Sequence, residues 1–154
     1  MKSLISTLLV TFLGLSSLPS LAMDDVPLHR STAGNLYIQA FLGTDVKTDL
    51  LLDTGASYVA LSKATFEKVA DQGNLPFSRY IYGAVATGKV EKIALYRLET
   101  LKLSESCILE NVEVALLPRA DADILGLNAL SRLESLTLQF APARLSTGIC
   151  QTAI

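Results

Sequence analysis

Residues 49–62 read DLLLDTGASYVALS. Three leucines, Leu50, Leu51 and Leu52, run straight into Asp53-Thr54-Gly55. An apolar run bounded by turn residues reads as a buried strand. A carboxylate at the end of such a strand is costly unless it is paired, hydrogen-bonded or put to use. Asp53 therefore either opens a surface turn, as Asp-x-Gly clusters commonly do, or is held at the edge of the interior for chemistry.

Upstream, LYIQAFLGTDVKTDLLLDTG over residues 36–55 reads as a hairpin: a strand over 36–42, a turn at Gly43-Thr44-Asp45, and a second strand over 46–52 that delivers Asp53. Downstream, a short strand over 58–61 precedes Ser62, which can cap a helix over 63–71 with Phe66, Val69 and Ala70 on one face. Residues 77–103, FSRYIYGAVATGKVEKIALYRLETLKL, alternate like strands and are broken by Gly83 and Gly88. They read as a long hairpin with a small-residue tip over 84–87. A further strand over 107–118 stops at Pro118, and a polar loop spans 119–123. ILGLNALSRL, residues 124–133, is apolar and ends in a helical turn, and 135–146 forms a final strand or pair. The class is mainly β with one or two short helices.

The chain has 154 residues, enough for one domain with a core of useful size. Lys2, an apolar run from Leu4 to Leu15 and the exit Ser20-Leu21-Ala22 read as a secretory signal over 1–22, cut after Ala22. The competing reading is a retained anchor, although the run is shorter than the roughly 20 residues a spanning helix needs. Residues 23–35 read as a loose lead-in, and 36–154 as the domain. Export implies a secreted or periplasmic protein, with no stable membrane insertion once the leader is removed. Without the leader, 12 basic residues face 15 acidic ones. That balance offers no footprint for nucleic acid and no polybasic patch for a membrane. The two cysteines, Cys107 and Cys150, would meet an oxidising compartment. A bridge between them would be worth ~4 kcal/mol, but spacing alone does not show that they meet. The single histidine, His29, sits in a polar stretch and reads as a surface residue, so no metal site and no cofactor are expected.

Two segments carry the functional reading: LLDTGAS at residues 51–57 and, about seventy residues later, ILGLNAL at 124–130. With the glycine-marked hairpin between them, they resemble the retropepsin-like aspartic proteases, in particular the single-domain bacterial exported branch. The resemblance covers residues 36–140. It implies a closed β-barrel of the acid protease fold, a peptide or protein substrate, and Asp53 as the catalytic acid. It gives Thr54 a role in locking two active-site loops across a dimer axis. Gly55 would let the backbone approach the carboxylate and supply an N–H in an unusual geometry, beside Ala56. Ile124, Leu125 and Gly126 would pass beneath the loop and hold it. Tyr82, Gly83, Ala84, Val85, Ala86, Thr87 and Gly88 would form a flap over the substrate, with either glycine at its tip.

Peptide hydrolysis in this family needs two carboxylates about 3 Å apart, which cannot both ionise and so share a proton. This chain has one Asp-Thr-Gly; Asp121 and Asp123 lack the Thr-Gly that would follow. The second acid must come from another copy, so a two-fold homodimer is expected. Plainer readings remain beside these. Tyr80, Tyr82 and Tyr96 fit strand packing as well as substrate contact, and Arg132 reads as solvated. A competing function is an exported, non-catalytic peptide-binding or regulatory module on the same fold, holding an extended segment by strand addition. A structural envelope protein with a disulfide is a weaker third.

Overall fold

The computed structural model describes residues 24–73, 75–84, 88–119 and 121–150. The expected leader over 1–22 therefore lies outside the described residues. Among them, no helix is long and apolar enough to cross a membrane. The elements run β1 (Asp24–Arg30), β2 (Leu36–Leu42), β3 (Val46–Leu52), β4 (Val59–Ser62), α1 (Lys63–Ala70), β5 (Phe77–Ala84), β6 (Val90–Lys102), β7 (Ile108–Leu117), β8 (Asp123–Leu125), α2 (Leu127–Leu130), β9 (Leu136–Phe140) and β10 (Ala143–Thr147). The protein is mainly β, with two short helices among the described residues.

The strands hydrogen-bond in the order β5-β6-β7-β4-β8-β3-β2-β1-β10-β9, and β6 also pairs with β2. That extra contact, Phe41 opposite Lys102 and Leu42 opposite Leu101, joins β2, β3, β8, β4, β7 and β6 into a ring. Closure pairs the ring strands on both sides and leaves β5 and β9 as the edge strands among the described residues. The side-chain alternation of β2 shows how the sequence fills this ring. Leu36, Ile38, Ala40 and Leu42 point inward and are buried, while Gln39 and Phe41 face out. Leu50, Leu61, Leu98, Leu101, Leu109 and Leu125 complete the centre of the core. Each such buried side chain is worth about 1.5–3 kcal/mol against its exposed state.

The turn between β2 and β3 needs its glycine: Gly43 has φ +59°, a conformation that L side chains rarely adopt. Its carbonyl accepts from Thr100 Oγ1 at 2.8 Å, which ties the hairpin to β6. Ser62 caps α1, its hydroxyl accepting from the Thr65 N–H. The buried face of that helix is Thr65 and Val69, with Phe66 half-buried and Ala70 exposed. The expected face was thus right at Val69 and wrong at Ala70.

Four further expectations are corrected. The lead-in over 23–35 is not loose where it is described. β1 pairs with β10 over Asp24–Pro27 and with β2 over Leu28–Arg30. Val26 and Leu28 are its inward residues, two apolar positions too few to stand out among Asp, Pro and His. The leucine run before Asp53 is fully buried only at Leu50; Leu51 and Leu52 are half-buried. Asp123 is no loop residue. It is buried at the start of β8 and accepts from Thr48 Oγ1 and Thr65 Oγ1 at 2.6 Å and from the Ser62 N–H at 2.7 Å. Three bonds from three segments satisfy its burial. Arg132 is buried rather than solvated, and its Nη1 donates to the Glu110 carbonyl at 2.7 Å.

Cys107 and Cys150 form a disulfide, with Cα atoms 5.2 Å apart and both residues buried. Cys150 also bridges to Leu133. The bond fastens the C-terminal end of the chain to the start of β7. His29 is exposed, stacked on Tyr37 and 3.9 Å from Asp49. Among the described residues no group of acidic, histidine and cysteine side chains is placed to hold a metal.

Candidate active site

β3 delivers Asp53 to one end of the barrel, where it lines a cleft of about 920 Å³. Asp53 is half-buried; Thr54 and Gly55 are exposed and Ala56 is half-buried. The Gly55 N–H donates to Asp53 Oδ1 at 2.8 Å, and the Ala56 N–H to the Asp53 carbonyl at 3.3 Å. These bonds fix the carboxylate on a tight turn. Gly55 is not in a left-handed conformation, so the expected unusual backbone geometry is absent. Its constraint is space: a Cβ there would sit 3.1 Å from Asp53 Oδ1.

The segment Ile124, Leu125, Gly126 lies against this loop. β3 and β8 run parallel, Leu51 beside Ile124 and Leu52 beside Leu125, and the Asp53 N–H donates to the Leu125 carbonyl at 3.2 Å. At the start of α2, the Leu127 N–H donates to the Ala56 carbonyl at 2.8 Å and the Asn128 N–H to the Ser57 carbonyl at 3.0 Å. The first N–H groups of a helix have no intrahelical acceptor; here the loop carbonyls serve. Gly126 sits between the two layers. A Cβ on it would lie 2.2 Å from the Tyr58 carbonyl oxygen and 2.9 Å from that of Ala56.

Side chains add a second tier that the sequence reading missed. Asn128 Oδ1 accepts from the Val59 N–H and its Nδ2 donates to the Glu113 carbonyl, each at 2.7 Å. One amide thus joins the start of β4, just past the Asp53 loop, to β7. Arg79, on β5, grips Glu113 with Nε at 3.0 Å and Nη2 at 2.6 Å, and Ser78 Oγ donates to the same carboxylate at 2.8 Å. Arg79 Nη2 also donates to Tyr58 Oη at 3.2 Å. In the sequence, Arg79 and Glu113 look like ordinary outward charges on separate strands. Asn128 belonged to a quoted motif, but its two partners are remote in the chain.

The Arg79 fork holds the Glu113 carboxyl below its usual range, against the opposing pull of partial burial and with help from Ser78. A carboxyl depressed in the folded state contributes stability that is present above its unfolded pKa and is lost as pH falls through the lowered folded value. Glu113→Gln is therefore expected to cost under about 1 kcal/mol at neutral pH, because solvent screens a half-exposed pair. The gap to wild type should close in acid, below the folded pKa. Denaturant titrations of both proteins across pH read it; a gap that is constant with pH would contradict the assignment.

The hairpin of β5 and β6 forms the opposite wall of the cleft. It is paired from Phe77 opposite Tyr96 to Ala84 opposite Val90. Ile81, Tyr82, Gly83 and Ala84 line the cleft with Glu91 and Ile93. Val85, Ala86 and Thr87 lie outside the described residues. The two glycines differ. Gly83 lies within β5 opposite Glu91, whereas Gly88 follows the tip with φ +78°. Tyr80 packs outside, its ring under Lys92 Nζ at 3.9 Å, and Tyr96 packs edge-on against Phe66 and Phe77. The cleft floor is apolar and small, with Ala60 and Ala115 among its residues, and Arg119 pairs with Glu91 at 3.4 Å on its rim.

A model of the family described as "gag-polyprotein putative aspartyl protease" matches residues 41–132, well over half the chain and with both motif segments inside it. The chain belongs to the retropepsin-like aspartic protease family. A crystal structure of a retropepsin-like aspartic protease from Rickettsia conorii is similar, with a TM-score of 0.62 and 24% identity. That match covers 86% of this chain and 97% of the other. The similarity supports the retropepsin-like fold for the barrel described above. No curated protein matches the chain.

Proposed function

We propose that this retropepsin-like protein is an exported aspartic endopeptidase that works as a homodimer. The observation that carries the reading is Asp53. Asp53 lines the cleft, its carboxylate is held by the Gly55 N–H, and it rests on a loop braced by Leu125, Leu127 and Asn128. A loop fastened from beneath keeps its functional group within the narrow tolerance that catalysis requires.

Two copies related by a two-fold axis would bring Asp53 beside the same residue of the partner. The pair shares one proton. The charged carboxylate takes a proton from water as the water oxygen bonds to the scissile carbonyl carbon. The protonated one gives its proton to the carbonyl oxygen. The resulting gem-diol then collapses. The C–N bond breaks as the amine nitrogen takes the proton that the first carboxyl gained from water, while a gem-diol hydroxyl gives its proton to the other carboxylate; a carboxylic acid and an amine leave, and the pair again holds one proton. Thr54, which is exposed, would link the two loops across that axis. The β5–β6 hairpin would close as a flap over the peptide and exclude water.

The reading is tested by cleavage of an unfolded protein, such as reduced and alkylated casein, over a range of enzyme concentrations. Activity per mole should rise with concentration while dimer is scarce and then level off. Full specific activity at concentrations where sedimentation shows only monomer would end the dimer reading. Mass spectrometry of the exported protein used in that assay should give a start near Met23.

A further inference from the structure

We propose that Tyr58 is a substrate-binding residue, its hydroxyl held by Arg79 so that it donates a hydrogen bond to an oxygen of the bound peptide. The inference rests on reading the cleft as a peptide site, and it assigns a residue that neither motif segment marks as functional.

Tyr58 lines the cleft with Asp53 and Ile81. Its backbone is fixed. Its carbonyl is pressed against Gly126, where no Cβ would fit, and the next N–H, of Val59, is held by Asn128. Its ring packs on the small apolar cluster of Ala60, Leu95 and Ala115, with the Arg79 guanidinium 5.9 Å from the ring centre. A phenol has one O–H to donate and two lone pairs to accept with. Arg79 Nη2 donates into one lone pair at 3.2 Å. A guanidinium has no acceptor, so this contact cannot consume the phenol's own hydrogen. Among the described residues, no hydrogen bond from Tyr58 Oη is present either. The hydrogen is thus without a protein acceptor among the described residues, on a residue that lines the cleft.

Arg79 is well placed to hold this orientation. Glu113 grips it through two nitrogens, the closer at 2.6 Å, and balances its charge. The device is thus a neutral donor with a fixed cation behind it, and it adds no net charge to the cleft. It suits an acceptor oxygen on an extended peptide, either a main-chain carbonyl or a side-chain amide or carboxylate. Arg79 does not reach the peptide in this scheme; it is a positioning residue.

The test uses oxidised insulin B chain as the peptide. Cleavage by the mature wild type is compared with Tyr58→Phe, Arg79→Met and the double variant. The same changes are made in Asp53→Asn, where binding of fluorescein-labelled B chain is titrated. Tyr58→Phe keeps the ring and should keep the Tm. It should raise KM, and weaken binding, by about fivefold, the size of one net hydrogen bond, with kcat within about twofold. The double variant should be no worse than Tyr58→Phe alone, because the two residues act through one contact. An equal effect at every cleavage site points to a main-chain carbonyl, and an effect confined to sites with Asn, Gln, Glu or Ser points to a side chain. Unchanged KM and unchanged binding would overturn the inference, as would fully additive losses. Cleavage that is indifferent to Tyr58 sinks only this inference. Tyr58-dependent binding by a wild type that never cuts sinks only the protease reading, and neither cutting nor binding sinks both.

Discussion

Asp53→Asn is expected to abolish peptide cleavage while the protein folds as before. The amide matches the carboxylate in size, and its oxygen can still accept from the Gly55 N–H, now 2.8 Å from Asp53 Oδ1. The braces to Leu125, Leu127 and Asn128 run through backbone atoms and are untouched. What is lost is chemical. An amide takes no proton from water and shares none with its mate, so activation of the nucleophile and protonation of the carbonyl fail together. The rate should drop by roughly a thousandfold or more. Cleavage of casein and the thermal midpoint, measured on one preparation, decide the matter. A variant that folds and still cuts at near the native rate would make Asp53 a turn residue, and the protease reading would fall with it.

Gly126→Ala should do the reverse, damaging the fold first and the activity through it. Its Cβ would meet the Tyr58 carbonyl oxygen at 2.2 Å, the Tyr58 carbonyl carbon at 2.5 Å and the Ala56 oxygen at 2.9 Å. All three are backbone atoms, so no side chain can swing away. Either the β8–α2 junction backs off or the loop bearing Asp53 moves. We expect a loss of about 3 kcal/mol or more, which for a domain of this size lowers the Tm by about 10 °C or more. The folded fraction should also cut slowly, because a shift of about 1 Å at a catalytic group is enough to matter. A native Tm and a native rate together would show that the two layers tolerate the added carbon.

Where the fold was legible, the cause was local. The β2–β3 hairpin shows in alternation and in Gly43; the cap of α1 shows in Ser62; and the site shows because Asp-Thr-Gly follows an apolar strand. β1 was not legible, since only Val26 and Leu28 carry its pattern and its partner β10 enters more than a hundred residues later. Asp123 and Arg132 were misread for a related reason. A charged residue looks solvated until its partners are known, and those of Asp123, at Thr48, Ser62 and Thr65, come from other elements. The same holds for the Arg79–Glu113–Tyr58 group. Its members are unremarkable in sequence and meet only because β5, β7 and the loop after Asp53 share one end of the barrel.

The Cys107–Cys150 bond has a bearing on what a break in the chain would do to the protein. The two cysteines are 43 positions apart, and the chain between them includes β8 and α2, the support beneath Asp53, together with the exposed stretch around Pro118 and Arg119. A chain severed anywhere in that interval is still a single molecule. The two pieces remain tethered through sulfur, so each stays at high effective concentration near the other and re-docking carries little of the entropic penalty of a free encounter. Nicks in this part of the protein thus need not release the scaffold that holds Asp53.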